Sequence, residues 1–90
     1  MVNSVTEESG GKIVYFYHRI RDLREDHDKT QREIAQYLNM QVTVYQRYER
    51  GEREIPLWAA IKLAHYYRVS LDYLVGLTDC TEPYPMYSWL

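Results

Sequence analysis

Apolar residues return every three or four positions through the middle of the chain, which is the spacing of one face of an amphipathic helix. The polar stretch before them, residues 1–11, has too few apolar side chains to offset the entropy of ordering, and we expect a disordered tail there. The first helix is predicted from the apolar positions Ile13, Phe16, Tyr17, Ile20 and Leu23. It should end near Glu25. No stretch of the chain alternates well enough to predict a strand.

A capping box predicts where the second helix begins. Thr30 is followed three residues later by Glu33, so the Thr30 hydroxyl can accept from the Glu33 amide while the carboxylate accepts from the Thr30 amide. Asn39 then stands where a residue that tolerates the left-handed conformation would end the helix. After this tight turn Gln41 can serve as the N-cap of a third helix.

In the third helix Tyr45 and Tyr48 are spaced to face the core, and Gly51 ends the helix. We expect the Tyr45 hydroxyl to reach the surface. The residues left pointing outward are Val42, Thr43, Gln46, Arg47 and Arg50. A capped helix, a tight turn and a second helix with a polar outer face form the geometry of a helix-turn-helix.

Two further helices follow. Pro56 suits the first turn of a fourth helix, because its missing N–H would have no partner there anyway. The buried face of that helix is predicted to be Leu57, Ala60, Ile61 and Ala64. Ser70 caps a short fifth helix that ends at Gly76.

The last residues, 78–90, are rich in proline and aromatic side chains and follow neither a helical nor a strand period. Tyr84, Tyr87 and Trp89 are too apolar for a solvated tail. They either cover the core of their own domain or form an interface with a second copy of the chain. Trp58, at an outward position of the fourth helix, is another candidate for an interface.

Charge is unevenly distributed along the chain, whose net charge is −2. All 11 Lys and Arg residues lie between Lys12 and Arg68, together with eight of the 13 acidic residues, so this stretch carries a net +3 and the ends are acidic. A basic central region is compatible with a polyanionic partner, although nucleic-acid-binding domains are commonly basic as a whole.

Several classes of function find no support in the residues. Cys80 is the single cysteine, no pair of His or Cys residues stands at metal-ligand spacing, and no nucleophile has a base beside it, so we expect neither an enzyme, a metal site nor a cofactor. No apolar run is long enough to span a membrane. Glu7 and Glu8 occupy the place where a secretory signal would be basic, which predicts a cytoplasmic protein.

The run from Ile20 to Leu77 resembles the lambda-repressor-like helix-turn-helix domain of phage repressors and of the xenobiotic-response-element family of bacterial regulators. The matching segments are Ile20-Arg21-Asp22-Leu23-Arg24, Thr30-Gln31-Arg32-Glu33-Ile34-Ala35, Tyr48-Glu49-Arg50-Gly51, Ile61-Lys62-Leu63-Ala64 and Val69-Ser70-Leu71-Asp72-Tyr73-Leu74-Val75-Gly76. The resemblance implies an all-α, five-helix DNA-binding domain over residues 12–77, with residues 41–50 as the recognition helix.

The resemblance also implies roles for individual residues. Val42, Thr43 and Arg47 match positions that contact base edges. Thymine methyl groups suit Val42 and Thr43, and guanine or a phosphate suits Arg47. Contacts to the DNA backbone are expected from Gln31, Gln41, Gln46, Arg50 and Arg53. Arg24 and Glu49 match a pair that ties the first helix to the third through a salt bridge.

These observations favour a sequence-specific regulator of transcription, a repressor, that binds double-stranded DNA as a homodimer on a palindromic operator. No small-molecule effector is evident, since the chain has no second domain of sufficient length. The alternative is a protein-interaction module, an antitoxin or an adaptor, that keeps the fold and binds a polypeptide. An acidic net charge and an apolar Val42 favour that alternative.

Overall fold

The computed structural model describes residues 5–7, 13–15 and 17–83. Five helices form the body of the protein: α1 (His18–Asp26), α2 (Gln31–Tyr37), α3 (Val42–Glu49), α4 (Leu57–Tyr67) and α5 (Leu71–Leu74). The prediction of a five-helix fold is therefore confirmed. None of the described helices combines the length and the apolar character that crossing a membrane requires.

A short antiparallel hairpin precedes the helices. Strand β1 (Val5–Glu7) pairs with strand β2 (Ile13–Tyr15), with Thr6 opposite Val14. The prediction of a helix from Ile13 was wrong, and the expected disorder of residues 1–11 does not hold for Val5–Glu7. The physical reason lies in the run from Ile13 to Tyr17, which is apolar at every position and rich in β-branched and aromatic residues. Such a run suits a strand as well as a helix.

Helix α2 begins as the capping box predicts. The Thr30 hydroxyl accepts from the Glu33 amide at 3.1 Å, and the Glu33 carboxylate accepts from the Thr30 amide at 2.8 Å. The hydrogen bond to the Thr30 backbone is also the main reason why the pKa of Glu33 lies below its ordinary value. By contrast, α3 begins after Gln41 in an extended conformation, but the Gln41 side chain makes no capping hydrogen bond.

Each of the five helices ends in the same local structure. The residue after the last helical turn has a positive φ. Its amide bonds back to the carbonyl three residues earlier, and the amide of the next residue bonds to the carbonyl five residues before that one, which is the Schellman motif. After α2, for example, Asn39 donates to Gln36 and Met40 donates to Ala35, each at 3.0 Å. The five residues with positive φ are Asp28, Asn39, Gly51, Arg68 and Gly76. The sequence prediction for Asn39, Gly51 and Gly76 is confirmed.

The core lies where the helices meet, and Ile34, Tyr45 and Leu63 are completely buried at its centre. Helix α4 contributes a face of small residues together with Leu63 and Tyr67. The predicted buried face of α4 was wrong at two positions, since Leu57 is 67% exposed and Ile61 is 42% exposed. Almost every residue of α4 is apolar, so periodicity alone does not select the face that packs.

Candidate nucleic-acid interface

Helix α3 presents a solvent-facing surface made of residues one turn apart. Val42 and Thr43 lie at its start, and Gln46 and Arg47 follow four positions later, so all four share one side of the helix. Thr43 and Arg47 are exposed, while Val42 and Gln46 are half-buried, and Val42 packs partly against the core. We call these four residues the α3 outer face. Its polar groups are one hydroxyl, one amide and one guanidinium.

The last residue of α3, Glu49, anchors the helix through its carboxylate, and its side chain is only 3% exposed. One oxygen, Oε2, accepts from Arg24 Nε at 2.7 Å and from the Tyr45 hydroxyl at 2.5 Å. The other, Oε1, accepts from Gln31 Nε2 at 3.0 Å and from Arg24 Nη2 at 3.1 Å. A single buried side chain therefore joins α1, the first residue of α2 and α3.

These contacts fix the ionisation of the cluster. Burial alone would raise the pKa of Glu49, but hydrogen bonds from Arg24, Tyr45 and Gln31 outweigh burial and hold the pKa below its ordinary value. The hydrogen bond with Glu49 raises the pKa of Arg24. Burial and the bond to Glu49 raise the pKa of Tyr45. At neutral pH the cluster thus consists of a carboxylate, a guanidinium and a neutral phenol.

The buried cluster reaches the α3 outer face through two amides. Gln31 donates from Nε2 to Glu49, and its carbonyl oxygen accepts from Gln46 Nε2 at 3.0 Å. A chain of hydrogen bonds thus runs from Glu49 to Gln31 and on to Gln46. It connects the first residue of α2 with the surface of α3.

An open polar groove lies beside this chain of bonds, and most of its charged side chains form ion pairs with each other. It is lined by Arg21, Arg24, Glu25, Lys29, Thr30, Gln31, Glu49, Arg50 and Glu52. Arg50 contacts Glu52 at 2.8 Å, and this pair is about half exposed on both sides. The Arg50 hydrogen bond lowers the pKa of Glu52. Arg47 and Arg53 make no ion pair within the described residues.

A second surface lies on α4 and is apolar. Trp58 is 50% exposed and is flanked by the exposed Leu57 and Ile61. We call these three residues the α4 apolar patch. Large hydrophobic side chains that are exposed together on one helix are typical of an interaction surface.

The residues after α5 are tied to their own domain at least as far as Thr81. Arg19 donates to the carbonyls of Tyr73 and Thr78 and contacts the Asp79 carboxylate at 2.5 Å. The Ser70 amide donates to the Thr81 carbonyl at 3.2 Å. Tyr84, Tyr87 and Trp89, which were predicted to cover the core or form an interface, lie outside the described residues.

The structure thus brings most of the predicted site residues to α3 and to the start of α2, with Trp58 on a separate surface. The expectation that the Tyr45 hydroxyl reaches the surface was wrong, because Tyr45 is fully buried and its hydroxyl donates to Glu49. The contacts of Gln46 with Gln31 and of Arg19 with residues 73–79 were not foreseen. These contacts join residues 15 to 60 positions apart, for which a single sequence holds no signal. Within the described ranges, no group of three or more His, Cys, Asp or Glu side chains is placed to hold a metal ion.

Comparison with known proteins identifies the fold and the family. A family model described as "Helix-turn-helix" matches residues 20–74. Among solved structures, a transcriptional regulator from Listeria innocua superposes with a TM-score of 0.66 and 27% sequence identity, over 81% of this chain and 64% of that one.

Curated relatives carry similar descriptions. The chain is 35% identical to the uncharacterized HTH-type transcriptional regulator YobD of Bacillus subtilis, over 76% of this chain and 61% of YobD. It is 36% identical to the HTH-type transcriptional regulator ImmR of the same organism, over 71% of this chain and 50% of ImmR. It is 37% identical to the cryptic phage CTXphi transcriptional repressor RstR of Vibrio cholerae, over 68% of this chain and 55% of RstR. The chain spans between half and about three fifths of the length of these relatives. By its sequence and its fold, the chain belongs to the helix-turn-helix family of the Cro and cI type.

Proposed function

We propose that this protein is a transcriptional regulator, a repressor, that binds double-stranded DNA with α3 in the major groove. The observation that carries the proposal is the α3 outer face, which offers Thr43, Gln46 and Arg47 on one side of a helix that the buried Glu49 ties to α1 and α2. A rigid helix with polar groups on its free side fits the major groove, where each base pair shows a distinct pattern of donors and acceptors. The names of the relatives support the same function.

The α3 outer face divides into two kinds of base contact in this proposal. Val42 and Thr43 meet thymine methyl groups, because neither side chain can make a bidentate contact to adenine. Arg47 has no ion pair within the described residues, which leaves its guanidinium available to guanine O6 and N7. A contact from Arg47 to a phosphate is the alternative.

Contacts to the DNA backbone come from side chains around the α3 outer face. Gln31, Gln41 and Arg53 are assigned to phosphates, as is Arg50. Arg50 is paired with Glu52 at the surface, and exposed pairs of this kind are weak enough for a phosphate to replace the carboxylate.

Selection of bound DNA from a random pool tests this function. The wild-type protein should select one motif, and its affinity for that motif should fall steeply between about 50 and 200 mM salt, because several phosphate contacts release counterions. Arg47→Ala and Thr43→Ala should change the selected motif. Lys62→Ala, which removes an exposed positive charge from α4, is the matched control and should leave the motif unchanged. If neither α3 variant alters the motif, the recognition-helix assignment is wrong.

We further propose that the protein binds a palindromic operator as a homodimer, because one short recognition helix reads few base pairs and two half-sites lie about 34 Å apart. The α4 apolar patch supports Trp58 as an interface residue. Tyr84, Tyr87 and Trp89 remain candidates for the same interface. Sedimentation velocity of Trp58→Glu and of a chain ending at Pro83 separates the two surfaces, since the change that abolishes the dimer identifies the interface. A wild-type protein that sediments as a monomer with and without operator contradicts the homodimer.

A second candidate function is a protein-interaction module that uses the α4 apolar patch to bind a polypeptide. The exposure of Leu57, Trp58 and Ile61 favours it, as does the net charge of −2. The salt titration discriminates between the two functions. Weak retention on DNA that does not change with salt would favour the interaction module.

A further inference from the structure

The amide of Gln46 is held in one orientation by the hydrogen-bond chain that begins at Glu49. Gln46 lies on the α3 outer face, about one helical turn after Thr43 and next to Arg47. Its Nε2 donates to Gln31 Oε1 at 3.0 Å, and Gln31 Nε2 donates to Glu49 Oε1 at 3.0 Å. A glutamine at this position that made no such contacts would be free to turn its amide either way.

The direction of the chain follows from the chemistry of its buried end. An ionised carboxylate can only accept hydrogen bonds, so Gln31 must turn its NH2 group toward Glu49. The carbonyl of Gln31 then faces Gln46, and Gln46 must donate a hydrogen bond to it from its own NH2 group. One N–H of Gln46 is used in this way. Its second N–H and its carbonyl oxygen are left for a ligand.

A donor beside an acceptor is the pattern that complements one base in particular. In the major groove adenine presents N7 as an acceptor and the N6 amino group as a donor, and a glutamine amide contacts both at once. A phosphate offers acceptors only, so it would leave the carbonyl of Gln46 facing a negative charge. The free groups of Gln46 therefore match an adenine edge better than the DNA backbone.

Fixing the amide before DNA arrives also favours a specific contact. A glutamine side chain loses considerable rotamer freedom when it is ordered, and a side chain that is already held loses less on binding. Glu49 and Gln31 place the amide without touching the base. They are positioning residues in this scheme, and Gln46 makes the contact.

Building on the proposed function, we propose that Gln46 is a specificity-determining residue that reads an adenine in the major groove, with its amide oriented by Glu49 through Gln31. The proposal adds a fourth base-reading side chain to Val42, Thr43 and Arg47. It replaces the backbone contact expected for Gln46 from the sequence.

The test compares the motifs that wild-type protein and Gln46→Ala select from a random DNA pool. The wild type should require adenine at a position of each half-site where Gln46→Ala accepts any base, and the other positions should stay unchanged. Discrimination against the wrong base there should fall by about 5- to 150-fold, the range for one bidentate contact. Gln46→Glu has no N–H group, so it can neither donate to adenine N7 nor keep the bond to Gln31, and the adenine preference should be lost.

Gln31→Leu tests the positioning role, because it keeps the bulk of the side chain but removes both amide contacts. Its selected motif should retain adenine, while discrimination at that position should weaken more than at the position read by Arg47. A general loss of DNA affinity would lower binding to all sequences equally and leave these ratios unchanged. Thermal melting of each variant confirms that the protein under test is folded.

The outcomes separate this proposal from the function on which it rests. If the wild type selects a motif but Gln46→Ala selects the same motif and loses affinity equally for all sequences, Gln46 contacts a phosphate and the proposal is overturned while DNA binding stands. If Gln31→Leu leaves discrimination at every position unchanged, the positioning by Glu49 and Gln31 is refuted. If the wild type selects no motif, the proposed function fails and this proposal fails with it.

Discussion

Glu49 is the residue on which the geometry of the candidate interface depends most. Its buried carboxylate accepts hydrogen bonds from Arg24, Tyr45 and Gln31. Because Arg24 is itself only 13% exposed, neither charge of this ion pair has ready access to water. Removing one partner of a buried pair leaves the other charge uncompensated.

We therefore expect Glu49→Ala to lower the free energy of unfolding by about 3 to 5 kcal/mol, measured by urea denaturation. Glu49→Gln retains an acceptor for Gln31, so its free energy of unfolding should fall by less than that of Glu49→Ala. Glu52→Ala is the matched control, since Glu52 also pairs with an arginine but is about half exposed, and it should shift the unfolding midpoint far less than Glu49→Ala does. If Glu49→Ala and Glu52→Ala have equally small effects, the Arg24–Glu49 tie is not structural.

Two buried tyrosines provide a second comparison between single residues. The Tyr67 hydroxyl is buried and has no hydrogen-bond partner in the described part of the chain, whereas the Tyr45 hydroxyl donates to Glu49. An unsatisfied buried hydroxyl costs stability, so Tyr67→Phe should raise the free energy of unfolding by about 1 kcal/mol. Tyr45→Phe should lower it by about 1 to 3 kcal/mol, because the lost bond is to a charged group. Denaturant unfolding of both variants measures this, and a destabilised Tyr67→Phe would mean that its hydroxyl has a partner.

At the scale of the elements, the ends of the helices are the most regular feature of the protein. Five Schellman motifs each need a residue with positive φ, and four of the five positions hold Asp, Asn or Gly. The fifth, at the end of α4, is Arg68 with φ 58° and ψ 46°. A long side chain in this region costs about 1 to 2 kcal/mol relative to the right-handed conformation.

Arg68→Gly should therefore stabilise the protein by about 1 kcal/mol, with part of the gain offset by the greater freedom of glycine in the unfolded chain. The reciprocal change Gly51→Ala, at the end of α3, should destabilise it by a similar amount. Thermal unfolding checks both, and the two shifts should have opposite signs. A lower melting temperature for Arg68→Gly would contradict the assignment of strain to this residue.

The stability of the whole molecule should depend on pH through its acidic hydrogen-bond acceptors. The folded-state pKa of Glu49 lies below the ordinary value of 4.5, so the unfolded chain binds protons more readily than the folded protein does. The stabilisation from Glu49 is then fully present above about pH 4.5 and is lost as the pH falls through the folded pKa. The pKa values of Glu33 and Glu52 are also lowered in the folded protein, so these residues add to the same loss of stability at low pH.

Urea unfolding at a series of pH values should show wild-type stability decreasing below about pH 4.5, with a shallower decrease for Glu49→Gln. The free energy of unfolding of the variant should still decrease somewhat with falling pH, because Glu33 and Glu52 still titrate. Identical slopes for the wild type and Glu49→Gln would mean that Glu49 has the same pKa in the folded and unfolded chains.

The protein has two different exposed surfaces, the α3 outer face and the α4 apolar patch, and its function depends on which of them it uses. The α3 outer face is polar, and the α4 apolar patch, just beyond the loop after α3, is exposed. A DNA-binding dimer uses both kinds of surface, whereas a protein-interaction module needs only the apolar one. The salt titration and the sedimentation experiment therefore address different faces of the same fold.

Features that depend on groups a few residues apart could be predicted from the amino-acid sequence. The Thr30–Glu33 capping box and the left-handed Asn39 and Gly51 act within one or two helical turns, so the start of α2 and the ends of α2 and α3 were predictable. The same local spacing assembled Val42, Thr43 and Arg47 on one face.

Where several arrangements are locally equivalent, long-range packing selects the one that forms. The apolar run from Ile13 fits a helix or a strand until β1 pairs with it. Because α4 is nearly all apolar, its sequence pattern does not identify the buried face. In the folded protein that face contains Ala59 and Leu63, which pack into the core. Gln46 meets Gln31, and Arg19 meets residues 73–79, only because folding brings distant parts of the chain together. These choices depend on contacts between distant residues, whose energies exist only once the chain is folded.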